Sequence, residues 1–382
     1  MNTNIGTEIT GYLKHGDHAV AVRRTLDYCL DTGDDTLIEK AVNWSREYHA
    51  NELSTSGNAH SETFVQAAEN IIKQAAQLQT HPGTGCYPLL NAEKISKTYS
   101  GGNFSLKPIN ISLSTGNVLG VVGENGNGKT TLLRCLAGQL ILDSGEIQYH
   151  LLQKPDYYAI KNHVAFIPQR IPKWYGMLKD NLHFSASIAG VYGAKNDLMV
   201  DFMLERLNLS AYAHLTWNQI SSGYRTRFEM ARILLQKPRL LILDEPLANL
   251  DINAQQTILT DLIFMAKGAH NPMGIILSSQ QLHEVEKVAD TVIFIKNGSC
   301  LYSSNDKAEK IKTNAVEFET NASRESIMDV FGEQNAELQF NGGFYTIITA
   351  HLTAREIIEK LIEAKIPISY FRDITFSTKR FF

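Results

Sequence analysis

The spacing of apolar side chains divides the chain into three textures. Over the first 80 residues apolar positions recur every three or four residues, the period of amphipathic helices. Ala19, Val20, Val22, Leu26 and Leu30 predict a helix over 17–31 that Gly33 stops. Leu37, Ile38, Ala41, Val42 and Trp44 predict a second, capped by Asp34 and running to about residue 53. After a loop at 54–58, Phe64, Ala68, Ile71, Ala75 and Leu78 predict a third, capped by Ser61. Three such helices imply a small bundle over 1–82. Its histidines (His15, His18, His49, His60) lack metal-ligand spacing, and the segment carries no chemistry of its own.

Beyond a linker at 81–85 the texture changes to short apolar runs alternating with helical stretches, an α/β pattern. Strands are predicted at 89–96 and 104–113 around a Gly101-Gly102 turn. Buried strands are predicted at 118–122, 164–169, 240–244, 274–277 and 291–295, with 170–237 mostly helical and Asn297-Gly298 as a turn. From about 306 a third texture begins. It reads as strand 315–320, helix 323–331, strands 336–340 and 344–350 around Asn341-Gly342-Gly343, helix 353–364 with Thr353 and Glu356 as a capping box, and strand 366–371. That βαββαβ order predicts an α+β unit over 312–382. The central unit is placed at 88–305.

Composition narrows the class without naming an activity. At 382 residues the chain exceeds one typical core. A net charge of −4 gives no reason to expect a nucleic-acid partner. No run approaches the ~18 consecutive apolar residues of a membrane span, and the polar start, residues 1–16, is not expected to be a secretory leader. The four cysteines, Cys29, Cys86, Cys135 and Cys300, are scattered and read as reduced thiols.

Chemistry enters at residues 123–131, Gly-Glu-Asn-Gly-Asn-Gly-Lys-Thr-Thr, between a predicted strand and a predicted helix. This is the spacing of a phosphate-binding loop. Gly123, Asn125, Gly126, Asn127 and Gly128 let backbone N–H groups turn around anionic oxygens, and the following helix N-terminus adds partial positive charge. Lys129 is expected to reach the outer phosphates, with Thr131 beside it and the Thr130 hydroxyl on Mg²⁺. The alternative is a glycine-rich turn with an ordinary surface lysine. The apolar run 240–243 then delivers two acids at its end. Asp244 suits Mg²⁺ and Glu245 suits polarising a water. Tyr99 is placed either to stack on a base or simply to pack.

Taken together these residues resemble the nucleotide-binding domain of ATP-binding-cassette (ABC) ATPases, over roughly residues 90–305. The Walker A loop is 123–131, and Gln169 falls at the Q-loop position. Ile220-Ser221-Ser222-Gly223-Tyr224 resembles the signature, 240–244 the Walker B strand, and 247–251, ending in Asp251, the D-loop. The resemblance implies a P-loop NTPase with a helical subdomain at about 170–237, binding ATP and Mg²⁺. It places Tyr99 on adenine, Gln169 with Thr130 and Asp244 on the metal, and Glu245, Gln169 and Gln280 as the candidate catalytic set. It also implies two cassettes head to tail, as homodimer or heterodimer, with Ser221, Ser222 and Gly223 of one closing on ATP held by the other and Asp251 in the D-loop at the same interface.

Two departures bear on turnover. Ser222 replaces a glycine and Tyr224 a glutamine of the usual L-S-G-G-Q, and Gln280 stands where the family places its switch histidine. Glutamine can hydrogen-bond a phosphate but cannot carry a proton's charge. His283, three residues on, is not expected to substitute. The expectation is real, if slow, hydrolysis. The leading function is the ATPase subunit of a transporter with a separate integral-membrane permease, peripheral on the inner face of the membrane. Residues 174–182, with Trp174 and Met177 expected in a docking groove or in the subdomain core, resemble the region that receives a permease. The C-terminal unit is similar to tails on some ABC-2-type export ATPases. Alternatives are a soluble ABC ATPase acting on a macromolecule, or a weakly hydrolysing partner of a second cassette.

Overall fold

The computed structural model describes residues 5–52, 59–78, 86–99, 101, 104–152, 156–248, 250–268, 272–303, 313–332 and 336–375. The expected loop at 54–58, the linker at 81–85, Gly102, Asn249 and the tail beyond 375 lie outside them.

Among the described residues the N-terminal bundle has four helices rather than three: α1 (Ile5–His15), α2 (His18–Thr32), α3 (Asp35–Glu52) and α4 (Ala59–Leu78). The additional helix lies in the polar start, and its buried stripe is little more than Ile9 and Leu13, one turn apart. The Asp34 cap is present: Leu37 N–H donates to its Oδ1 at 2.7 Å. Ser61 falls inside α4 rather than at its start.

The central unit contributes β1 (Pro88–Thr98), β2 (Ser105–Ser114), β3 (Val118–Val122), α5 (Lys129–Leu136), β4 (Ser144–Tyr149), α6 (Tyr157–His163) and β5 (Val164–Ile167). The helical subdomain follows, with α7 (Leu178–Ile188), α8 (Gly193–Arg206) and α9 (Ser222–Leu234). The chain then returns through β6 (Leu240–Leu243), α10 (Ile252–Ala266), β7 (Gly274–Ser279), α11 (Leu282–Val285), β8 (Thr291–Lys296) and β9 (Ser299–Ser303). The main sheet runs β5-β6-β7-β3-β8-β9, parallel except for β9. Strands β3, β6 and β7 are buried along their whole length, as a parallel sheet covered on both faces requires. A smaller antiparallel sheet, β2-β1-β4, lies beside it.

Elements not expected from the pattern include β9, α6 and α10. The β9 strand is short and half polar, yet Asn297 (φ 50°) and Gly298 (φ 73°) form the two-residue positive-φ turn that folds it back on β8. The α6 helix is capped by Asp156, whose carboxylate accepts from Ala159 N–H at 2.7 Å.

The C-terminal unit follows the expected order: β10 (Asn314–Glu319), α12 (Arg324–Phe331), β11 (Glu337–Asn341), β12 (Phe344–Thr349), α13 (Ala354–Glu363) and β13 (Tyr370–Asp373). Its antiparallel sheet runs β11-β12-β10-β13. The Thr353–Glu356 capping box forms as expected. The last strand starts later than residue 366 for a local reason. Lys365 sits at φ 55°, Lys365 N–H returns to Ile362 O and Ile366 N–H to Leu361 O. That is a Schellman ending, and it keeps Ile366 in the helix-side core.

The bundle is not an appendage. Ile9, Leu26, Leu37 and Ala68 belong to the same continuous apolar core as Phe202, Phe228 and the α7–α9 face of the main sheet. The C-terminal unit has its own core around Val316, Phe318 and Leu361. It meets the cassette at Arg372, whose Nη2 donates to Glu286 Oε2 at 3.3 Å just past α11. Among the described residues no helix is long and apolar enough to cross a membrane.

Candidate nucleotide site

The strand order builds the site. The C-terminal ends of β5, β6, β7 and β3 are neighbours, which is where open parallel sheets bind ligands. Each end delivers polar groups: Gln169 after β5, Asp244 and Glu245 after β6, Gln280 after β7, and the glycine loop after β3.

Glu245 is the hub. Its Oε1 lies 3.0 Å from Lys129 Nζ, with the two side chains only 8% and 4% exposed. Its Oε2 accepts from Gln169 Nε2 at 2.8 Å and from Gln280 Nε2 at 2.7 Å. Its backbone is left-handed, at φ 48°, a conformation that costs on the order of 1–3 kcal/mol for a non-glycine residue. Ser278 on β7 secures that turn: Glu245 N–H donates to Ser278 Oγ at 2.9 Å, and Ser278 Oγ donates to Asp244 Oδ1 at 2.8 Å. The other oxygen, Asp244 Oδ2, accepts from Thr130 Oγ1 at 2.7 Å. One hydrogen-bonded chain thus ties β6, β7 and the start of α5.

The loop is shaped by contact as well as by φ. A Cβ on Gly123 would stand 2.3 Å from Ile295 O, and one on Gly128, at φ 103°, would stand 2.4 Å from Phe104 Cζ. Asn127 anchors the loop to the β8–β9 turn, accepting from Asn297 N–H on Oδ1 at 2.9 Å and from Gly298 N–H on its carbonyl at 3.1 Å. Lys129 Nζ also donates to Gly123 O at 2.7 Å and Glu124 O at 3.1 Å. Asn125 and Gly126 are exposed at the tip, and Thr130 is exposed beside them while Thr131 is buried. Tyr99 lies 3.4 Å, hydroxyl to hydroxyl, from Thr131, with its ring partly open to solvent.

The residues present fit a magnesium nucleotide. Among the described residues the buried Lys129 ammonium is satisfied by two loop carbonyls and Glu245, and a hydroxyl and a carboxylate meet at the end of the loop.

The signature residues are elsewhere. Ser221, Ser222 and Gly223 open α9 and line a groove of about 340 Å³ with Leu250, Asp251 and Arg227; none of the loop residues 123–131 lines it. Asp251 caps α10, accepting from Ala254 N–H at 2.9 Å. Tyr224 packs on Tyr212 at 3.9 Å between ring centroids. Burial, and then the hydrogen bond with Tyr212, push its phenol up to about 12, so it stays neutral at any working pH.

The structure therefore gathers the expected Gln169, Asp244, Glu245 and Gln280 at the sheet ends, together with Ser278, which the sequence did not single out. A fully buried serine closing an apolar strand is the signal that was there to find. His283 sits exposed on α11, and the bonds to Glu245 Oε2 come from Gln169 and Gln280 instead. The groove reading of Trp174 is corrected: it is 8% exposed, stacks on Trp217 at 5.0 Å and donates to Glu229 Oε2 at 3.2 Å. Met177 is exposed.

The sequence model of the ABC transporter family matches residues 106–248. The ABC transporter ATP-binding protein YxlF of Bacillus subtilis is 31% identical over 212 residues, covering 55% of this chain and 68% of that protein. The chain belongs to the ABC transporter ATP-binding family. The methionine import ATP-binding protein MetN of Caulobacter vibrioides is likewise 31% identical, over 55% of this chain and 65% of its own. Among solved structures, CbiO1 of Clostridium perfringens, part of the ABC transporter complex CbiONQ, superposes with a TM-score of 0.51 at 26% identity, covering 59% of this chain and 92% of its own. A dimeric ATP-binding cassette bound to ADP and phosphate shares the fold at 18% identity and a TM-score of 0.51, covering 56% and 97%. The family binds ATP, with Mg²⁺ as its usual ion.

The Phe104 contact makes the cassette's loop testable. Gly128→Ala forces a Cβ into a positive-φ position costing roughly 1–2 kcal/mol before the clash is counted, so affinity for a fluorescent ATP analogue is expected to fall about tenfold or more. Unchanged affinity in a direct titration would show that the loop does not cradle the nucleotide.

Proposed function

We propose that this chain is the ATP-hydrolysing subunit of a transporter, acting on a separate integral-membrane permease from the inner face of the membrane, as one of a head-to-tail pair of cassettes. The observation that carries the reading is the Glu245 hub. It puts a carboxylate, two carboxamides and an ammonium on four adjacent strand ends.

The roles follow from the geometry. Lys129 is shared between loop carbonyls and Glu245. Turning it onto the outer phosphates frees Glu245 Oε1 to accept a water proton. Water then bonds to the γ-phosphorus as the bond to ADP breaks, and Glu245 takes the proton. Gln169 and Gln280 keep the carboxylate aimed through Oε2, and neither titrates. Thr130, Asp244 and Gln169 would hold Mg²⁺, which supplies charge neutralisation across the phosphates. Tyr99 would lie against adenine. The signature groove faces none of these groups, so Ser221, Ser222 and Gly223 would complete the anion cage of a second copy or of another cassette, with Asp251 at the same interface.

The permease reading rests on a surface. Tyr175 (82% exposed), Met177, Phe184 (68%) and Ile188 leave apolar side chains in solvent on and just before α7. Phe184 and Ile188 are one turn apart, as an apolar docking face requires. The C-terminal unit supports an ABC-2-type exporter through its similarity to tails in that class.

Glu245→Gln removes the base while keeping the shape. Steady-state ATPase is expected to fall by about 10²–10⁴, and gel filtration is expected to show a dimer only with Mg·ATP; full turnover in this variant would refute the assignment of Glu245. Phe184→Asp with Ile188→Asp is expected to release the chain from membranes while leaving ATP affinity unchanged. Retention on membranes would contradict the docking face, and recovery of the unaltered chain on ribosomes or DNA would replace the transporter reading with a soluble one.

A further inference from the structure

The helical bundle meets the cassette through charge as well as apolar packing. At the end of α8, Arg206 is 2% exposed. Its Nε and Nη2 donate to the two carboxylate oxygens of Asp27 on α2, at 2.9 and 3.0 Å. Its Nη1 stands 3.3 Å from Asp261 Oδ1 on α10, an ion pair without hydrogen-bond alignment. The same Asp261 oxygen accepts from Arg23 Nη1, also on α2, at 3.2 Å. Burial opposes the charge on Arg206, but the carboxylates of Asp27 and Asp261 hold the guanidinium above its usual value. A second tie lies one residue back, where the buried Glu205 accepts from Ser45 on α3 at 3.0 Å.

These contacts join three bodies. Helix α8 packs on α7, and α7 on α9, whose first residues are the signature. Helix α10 starts at the Asp251 cap and lines the same groove through Ala254 and Thr257, one turn before Asp261. The bundle, through α2, grips both. Sliding α8 against α10 would leave Arg206 or Asp261 buried without its partner, which is strongly unfavourable.

We propose that the N-terminal bundle is a brace and Arg206 a positioning residue: through Asp27 and Asp261 they fix the signature helix relative to the D-loop helix, presetting the groove that receives the second nucleotide. That last role rests on the function proposed above; the mechanical claim does not. The brace holds the two walls of the groove in register before any nucleotide binds.

The test measures the distance between spin labels at Ala189, just past α7, and Gln256 on α10, in the full chain with Cys86 and Cys300 changed to serine. The unaltered pair is expected to give one narrow distance distribution without nucleotide. Arg206→Met with Asp27→Leu replaces the buried ions by apolar groups of similar size, an exchange that folds often tolerate, and Asp27→Asn provides a milder variant. In either, the distribution is expected to broaden without nucleotide, and kcat to fall with KM for ATP unchanged. A broad distribution in the unaltered chain, or equal widths in unaltered and altered chains, overturns the brace. The widths are read without nucleotide, so a failure to bind ATP would tell against the nucleotide site and leave this result standing.

Discussion

A carboxylate and an ammonium, both nearly out of solvent, set the terms for the rest of the molecule. Neither Glu245 nor Lys129 is tolerable there alone, and together they need further donors and acceptors. The parallel sheet supplies them. Because β5, β6, β7 and β3 lie side by side, Gln169, Gln280, Ser278 and the loop carbonyls arrive within hydrogen-bond reach. The left-handed turn at Glu245 persists because Ser278 holds its N–H and Asp244 holds Ser278. Binding chemistry and fold are here the same set of bonds.

Much of this was legible in the chain. The glycine loop, the two acids and both glutamines each close an apolar run, and a polar group ending a buried strand is a position that period and spacing reveal. Ser278 has the same character but reads as one of two serines, and its bonds to Asp244 and to Glu245 N–H separate it from Ser279. The polar start concealed α1, whose buried face is little more than Ile9 and Leu13. Trp174 shows a different limit. Its stacking partner, Trp217, lies 43 positions later, and no local pattern says whether an isolated tryptophan faces a core or a partner.

The tie between bundle and cassette was the least legible feature. Arg206 and Asp27 are 179 positions apart, and each looks in sequence like an ordinary charge on an amphipathic helix. Burial turns them into a structural bond. The C-terminal unit presents the opposite case: its helices and hairpin follow from local signals such as the Thr353–Glu356 box and the Gly342-Gly343 turn, and its core is its own. Its Arg372–Glu286 contact touches the segment that follows Gln280, but the pair is partly exposed, where such bonds contribute little.

The central claim is that the catalytic hub and the signature groove, separate within one chain, become one site between two. Mixing two crippled chains tests it most directly. Lys129→Ala removes the phosphate contact and Ser221→Ala with Gly223→Val blocks the groove, and each alone is expected to be inactive. If the site is composite, their mixture regains a fraction of the unaltered ATPase rate, because one face of each mixed dimer pairs an intact hub with an intact groove. Full activity from the groove variant alone, or no recovery in mixed dimers whose formation has been measured, would contradict it.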